Sequence, residues 1–177
     1  MPLRSDWSKE LCPIRRSLDV VGDPWVMLII RDVLHGRGRF EQLRDSLEIS
    51  EAVLSRRLRS MVEDGLLARA DYENGRRIRQ GYVATESAVE LLPVLQYLAQ
   101  WGERHTELPE GGGHMAMIHK PCNRETEPGS WCSECGEELR PEELVWMKPW
   151  KEKSYDELVP AGVLVEKKAT EMIVKET

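Results

Sequence analysis

FEQLRDSLEISEAVLSRRLRSMVEDGLLARADYENGRRIRQGY, residues 40 to 82, decides how this chain folds. Phe40, Leu43 and Leu47 recur at helical spacing and predict a short helix. Glu48-Ile49 leaves room only for a tight connection before Ser50, a residue type that starts helices because its hydroxyl accepts an otherwise free backbone N–H. Leu54, Leu58, Met61 and Val62 then form one apolar stripe, and Gly65 after Asp64 predicts the stop. Two helices joined so closely, the second amphipathic, predict a helix-turn-helix. Leu66 to Tyr72 and Ile78 to Ala84 read as strands, with Asn74-Gly75 the preferred dipeptide of a tight hairpin turn. Such a hairpin behind the helices is the wing of a winged helix.

Working outward, Ile14, Leu18 and Val21 predict a helix ended by Gly22, and Asp23-Pro24 opens another, since proline suits the first helical position. Trp25, Leu28, Ile29, Val33 and Leu34 make the expected buried face of that second helix. Beyond the wing, Thr85 is placed to cap a helix with two apolar stripes. Ala88, Leu91, Leu92, Leu95, Leu98 and Ala99 form the first, and Val94, Tyr97 and Trp101 the second, with Pro93 predicting a kink or a break. A helix apolar on two sides needs more partners than one small domain offers, which points to a homodimer. A core helix wrapped by the C-terminal residues is the other reading.

The whole chain has 177 residues and a formal charge of −6, which argues against a nucleic-acid partner until it is divided. Residues 37 to 82 contain ten Arg, no Lys and eight Asp or Glu, whereas residues 108 to 177 have nine basic residues against fourteen acidic ones. Because exposed charges are screened beyond about 8–10 Å at cellular salt, the acidic tail does not cancel the field near residues 37 to 82. No apolar run reaches the length of a bilayer span and the N-terminus lacks a signal-peptide core, so the expected location is the cytoplasm.

On the helix starting at Ser50, Ser55, Arg56, Arg59 and Glu63 fall opposite the apolar stripe. That face is expected to enter the major groove of duplex DNA, where arginine pairs with guanine and serine bonds base or phosphate. Arg57 lies at the stripe's edge and is assigned a structural role. Arg76, Arg77 and Arg79 surround the wing tip with no acid near them after Glu73, suiting phosphate or minor-groove contact. The expected DNA-contacting residues are thus Ser50, Ser55, Arg56, Arg59, Arg76, Arg77 and Arg79.

A punctuation from Leu108 to Gly113 divides residues 1–107 from residues 108–177. In the second part, His119-Lys120-Pro121-Cys122 and Cys132-Ser133-Glu134-Cys135-Gly136 supply four ligands in two short knuckles, the arrangement of a zinc ribbon. His114 competes with His119 for the fourth place. Four protein ligands would close the coordination sphere, so the Zn2+ expected here is structural. Leu144 to Met147 and Leu158 to Val165 are expected as short strands, with Trp131, Trp146 and Trp150 covering the ribbon. A redox pair of Cys132 and Cys135 is the competing chemistry, and a protein-interaction module a third possibility. No hydrolase triad, phosphate-cradling glycine loop or paired-carboxylate pocket is legible, and the chain is not expected to be an enzyme.

Cys12-Pro13-Ile14, Val21-Gly22-Asp23-Pro24-Trp25, Arg39-Phe40-Glu41-Gln42-Leu43, Ile49-Ser50, Leu54-Ser55-Arg56-Arg57-Leu58 and Glu63-Asp64-Gly65-Leu66-Leu67 together resemble the HxlR family of bacterial winged-helix regulators. The resemblance covers about residues 11 to 105. It implies a homodimer, joined through the first and last helices of the domain, that binds operator DNA and regulates transcription. It also implies that Cys12 can serve as a thiol sensor of oxidants or electrophiles; Arg15 and Arg16, within about one helical turn, would stabilise a thiolate if they face it, and a small buried hydrophobe is the alternative. The wing departs from the family pattern: it lacks the usual proline, and Ala88 stands where a glycine is usual. The expected fold class is α+β: a winged helix-turn-helix domain with three-helix core, hairpin wing and dimerisation helix, followed by a small zinc-ribbon-like β domain.

Overall fold

The computed structural model describes residues 6–110, 112–148 and 154–165. Its helices are α1 (Pro13–Val21), α2 (Pro24–Leu34), α3 (Phe40–Leu47), α4 (Glu51–Glu63), α5 (Glu86–Val89) and α6 (Leu92–His105). The strands are β1 (Leu67–Asn74), β2 (Arg77–Ala84), β3 (Met117–His119), β4 (Arg124–Glu125), β5 (Leu144–Lys148) and β6 (Ser154–Glu157). Trp150 and Lys167 to Thr177 lie outside the described residues.

Helix α2 is the axis of the core. Its start is set by Asp23, whose carboxylate accepts the Trp25 N–H at 3.0 Å, and by Pro24 in the first turn. Ile29, Ile30, Val33 and Leu34 are buried against Leu43 of α3, Leu54, Leu58 and Met61 of α4, Leu67 and Ala84 of the wing root, and Leu92 and Leu95 of α6. Each fully buried aliphatic side chain contributes roughly 1.5–3 kcal/mol relative to exposure. The expected stripe of α4 is therefore the one that holds it in place.

Residues 116–148 and 154–157 form a second, antiparallel sheet of order β4-β3-β5-β6. Its apolar side joins the first core: Met117, Leu144, Trp146 and Leu158 belong to the same buried cluster as α2. Trp146 stacks on His35 at the end of α2, with ring centroids 5.5 Å apart, and its indole N–H donates to the Met115 carbonyl at 2.9 Å. After β6 the chain crosses back, and the N–H groups of Val159 and Gly162 donate to the carbonyls of Leu34 and Ala84 at 2.8 and 2.9 Å. The expected division near residue 108 marks a change from helix to sheet, while the buried cluster runs across it.

Four local expectations are corrected. Thr85 does not cap α5; its hydroxyl donates to the carbonyls of Gly65 and Leu66, fastening the helix to the end of α4. In the wing, Asn74 pairs with Arg77, so Gly75-Arg76 and not Asn74-Gly75 is the central dipeptide of the turn. Gly75 has φ +65°, matching the turn type that needs glycine first, and this register pairs the buried Leu67 with the buried Ala84. Leu98 joins Val94, Tyr97 and Trp101 on the exposed side of α6 rather than the buried stripe. Residues 158–165 do not continue as a strand: β6 ends at Glu157, and Leu164 lies where a Cβ on Gly38 or Gly81 would stand 2.4 or 2.9 Å from its methyl groups.

Candidate nucleic-acid interface and metal centre

The connection from α3 to α4 turns at Glu48, which adopts the left-handed conformation at φ 51°, and is pinned by buried Ile49. Ser50 caps α4, its hydroxyl accepting the Val53 N–H at 3.4 Å, so one of its lone pairs is committed to holding the helix. Ser55, Arg56 and Arg59 are exposed on the outer face of α4, and both arginines are without an ion pair among the described residues. Arg57 is only 8 % exposed and pairs with Asp23 at 2.5 Å, joining α4 to the start of α2 as its position at the stripe's edge implies.

Arg76 sits at the wing tip, Arg77 beside it at the start of β2, and both are exposed. Arg79 corrects the expectation of an acid-free wing: its guanidinium donates to Glu41 of α3 at 3.1 Å. A second tie lies deeper, where the Arg39 guanidinium stands 4.5 Å over the Tyr72 ring. Neither partner could be found along the sequence, because Glu41 is 38 positions from Arg79 and only the fold brings them together. The wing is thereby held against α3, while Arg76 and Arg77 are exposed and without an ion pair among the described residues.

The metal-ligating residues meet as the spacing predicts. The ligand atoms of His119, Cys122, Cys132 and Cys135 all lie within 4.8 Å of one another. His119 Nδ1 is 3.5 Å from Cys122 Sγ and 3.3 Å from Cys135 Sγ, and Cys122 and Cys132 sulfurs are 3.7 Å apart. Zinc bonds of about 2.3 Å to sulfur and 2.0 Å to nitrogen give tetrahedral edges of about 3.5–3.8 Å, so this donor set could hold a metal ion. His114, the competing ligand, is elsewhere, between Glu103 and Glu125 at 2.6 Å from each.

Two equivalent turns build this cluster. Asn123 N–H donates to His119 O at 2.8 Å, and Gly136 N–H donates to Cys132 O at 2.9 Å. The residue after the second ligand of each turn, Asn123 at φ 53° and Gly136 at φ 77°, is left-handed. Asparagine and glycine are the residues that tolerate this conformation, which was legible for Gly136 and overlooked for Asn123. Burial pushes the Cys132 thiol up, but the N–H groups of Cys135 and Glu134 outweigh it and bring its pKa down to about 6. The Glu137 N–H lowers Cys135, yet burial and the neighbouring Cys132 and Cys122 sulfurs leave it raised. Crowded thiols that cannot all ionise together are what a cation at their centre relieves. Thr126 and Ser133, which no spacing in the sequence marks, fasten the second turn: Ser133 N–H donates to Thr126 Oγ1 and Glu127 N–H to Ser133 Oγ, both at 3.1 Å.

Trp131 is 64 % exposed and does not cover the cluster, whereas Trp146 is buried. Cys12 is exposed at the start of α1, which excludes the buried-hydrophobe reading within the protomer. The two arginines expected beside it turn away: Arg15 pairs with Glu10 at 3.2 Å, and Arg16 donates to the carbonyls of Glu10 and Leu11. Helix α1 buries none of its residues, and Leu11, Ile14 and Leu18 are exposed, as are Val94, Tyr97, Leu98 and Trp101 of α6. No described helix is long and apolar enough to cross a membrane.

The sequence model of the HxlR-like helix-turn-helix family matches residues 20–110. The chain belongs to the HxlR-like family. It is 36% identical over 126 residues to a Mycobacterium tuberculosis protein named as an HTH-type transcriptional regulator, an alignment covering 71% of this chain and 78% of that one. A second relative, the HTH-type transcriptional regulator YdeP of Bacillus subtilis, is 28% identical over 99 residues, covering 55% of this chain and 77% of its own. Among solved structures, the transcription-factor candidate PA1607 is similar with a TM-score of 0.62 and 31% identity, over 78% of this chain and 96% of that one. The oxidised form of the redox regulator HypR is similar with a TM-score of 0.50 and 28% identity, over 55% of this chain and all of that one. These relatives place the HxlR-like chain among transcriptional regulators rather than enzymes.

Proposed function

We propose that this HxlR-like regulator binds operator duplex DNA as a homodimer, with α4 reading bases and the wing gripping the backbone. The observation that carries the reading is the sorting of the four arginines of α4 and the wing tip from their neighbour Arg57. Arg56, Arg59, Arg76 and Arg77 are exposed and unpaired among the described residues, while Arg57 is buried on Asp23. Ser55 lies beside Arg56 on the same face, and Ser50 presents the helix start to a phosphate. Arg79, occupied by Glu41, serves mainly to set the wing's angle. The exposed apolar residues of α1 and α6 support dimerisation, since large contiguous apolar patches on soluble proteins mark interaction surfaces.

The cysteine cluster is assigned a structural Zn2+ held by His119, Cys122, Cys132 and Cys135 in a ribbon-like module formed by residues 108–177. Its closed, four-residue donor set favours structure over a Cys132–Cys135 redox pair or catalysis. Cys12, exposed and single, is assigned the thiol-sensing role, with oxidants or electrophiles as the signal.

The test is a titration of the full chain against a fragment of its own promoter at several salt concentrations. Binding should weaken steeply with salt and fall further in Arg76→Ala. Salt-independent binding, or none to any fragment of a genomic library, overturns the reading.

A further inference from the structure

Helix α6 is anchored in two different ways along its length. Its first part enters the common core through Leu92 and Leu95, both buried. Beyond Gln96 no residue of α6 is buried, although Ala99 packs part-way against that core. Hydrogen bonds to residues 115–129 tie the rest of the helix down. Gly129 N–H donates to Gln96 Oε1 at 2.8 Å, Gln100 Nε2 to Glu127 Oε2 at 2.9 Å, and Met115 N–H to Glu103 Oε1 at 2.7 Å. A cavity of about 180 Å3 opens between the helix and these residues, lined among others by Gln96, Gln100, Glu103, Met115 and Glu127. Polar ties rather than close packing therefore span the gap.

Residues 126–133 run from these ties to the cysteine cluster. The Thr126–Ser133 and Glu127–Ser133 bonds clip the segment that bears Glu127 and Gly129 onto the turn beginning at Cys132. Of residues 132–136 only Cys132 is buried, so an ion held by Cys132 and Cys135 is what would keep the far end of the clip in place. The outer part of α6 carries the exposed Tyr97, Leu98 and Trp101. We propose that occupancy of the cysteine cluster controls the dimer: bound zinc holds the outer part of α6 in the pose that pairs two copies, and its removal lets that part fray. The proposal rests on the homodimer and metal readings above. A coupling of this kind is reciprocal, so dimer formation tightens zinc binding by the same factor.

The experiment measures dimer dissociation of the full chain by sedimentation, zinc-loaded and after chelation, with amide exchange on the same samples. Chelation should raise the dimer Kd about tenfold or more and strip protection from residues 98–105, while α2, α4 and the start of α6 keep theirs. Gln96→Leu/Gln100→Ala cuts two ties at the helix and touches no ligand. It should still bind one zinc per chain, yet its zinc-loaded dimer should be weaker than wild type by about fivefold and change by less than about twofold on chelation. A wild-type dimer equally strong with and without zinc would overturn the proposal alone. So would a double variant that keeps wild-type strength or responds to chelation as fully as wild type. A chain monomeric in both states would overturn the homodimer reading, and one that takes up no zinc the metal reading, and either result takes the proposal with it.

Discussion

The winged helix and the cysteine-bearing sheet share one buried cluster yet are held together by different physics. Around α2 the fold rests on aliphatic burial, from Ile29 and Ile30 to Leu54 and Leu58, with buried leucines from α3, α4 and α6. The sheet of β3 to β6 has strands of two to five residues, and outside its face on Trp146 and Leu144 its order centres on four ligand atoms within 4.8 Å. A small module with little core of its own needs a staple, and in the proposed reading a metal ion held by this donor set supplies it. The comparison teaches that one chain can carry a core robust to single surface changes beside a sheet dependent on a handful of side chains.

The strongest way to break that contrast is to remove the staple. Cys132→Ser, or treatment with a zinc chelator, should abolish stoichiometric zinc and strip amide-exchange protection from residues 116–148, while α2 and α4 stay protected. Structural zinc sites contribute about 10–16 kcal/mol of binding free energy in small peptides, so the loss should be complete rather than graded. Protection lost equally in α2 would mean that the two regions are not held separately.

The next effect lies in the helical region. Arg57→Met leaves Asp23 without its buried partner and should destabilise the protein by about 3 kcal/mol, read by denaturant unfolding. Arg56→Met, one position away and exposed, should change stability by less than about 0.5 kcal/mol. On DNA the order reverses. Arg56→Ala or Arg59→Ala should cost about 1–3 kcal/mol at one base position, whereas Arg76→Ala should weaken all sequences alike and lower the salt slope by about one.

The smallest effect joins the two regions. His114 bridges Glu103 of α6 and Glu125 of β4, 2.6 Å from each. Burial lowers its pKa, but the hydrogen bonds to Glu125 and Glu103 prevail and leave it above the ordinary value of 6.5. A folded-state pKa raised in this way adds stability that is fully present below pH 6.5 and lost as pH rises through the folded value. Wild type should therefore lose a small stability advantage over His114→Gln as pH climbs from 6 to 9; because the site is exposed, the change should stay well below that of Arg57→Met. A constant difference across that range would remove the pH link.

The two regions also differ in how far they could be read from the sequence. Stripes and stops placed α1 to α4, and Pro93 foretold the break between α5 and α6. The ligand quartet was legible because its spacing is local, four residues in two turns. What escaped depends on distant partners: Glu41 meeting Arg79, Thr85 spent on Gly65 instead of a cap, and residues 158–165 running back over α2 and the wing root. The wing register escaped for another reason, since Asn74-Gly75 and Gly75-Arg76 both make acceptable turns and the choice falls to Leu67 pairing with Ala84.

The central claim, that the exposed arginine face of α4 reads operator bases, is tested most directly by selecting genomic fragments bound by the purified full chain and by its Arg56→Ala/Arg59→Ala variant. The account predicts a shared sequence motif for wild type and, for the equally folded variant, binding that survives at low salt but enriches no motif. The same motif recovered with undiminished enrichment by the variant would contradict it.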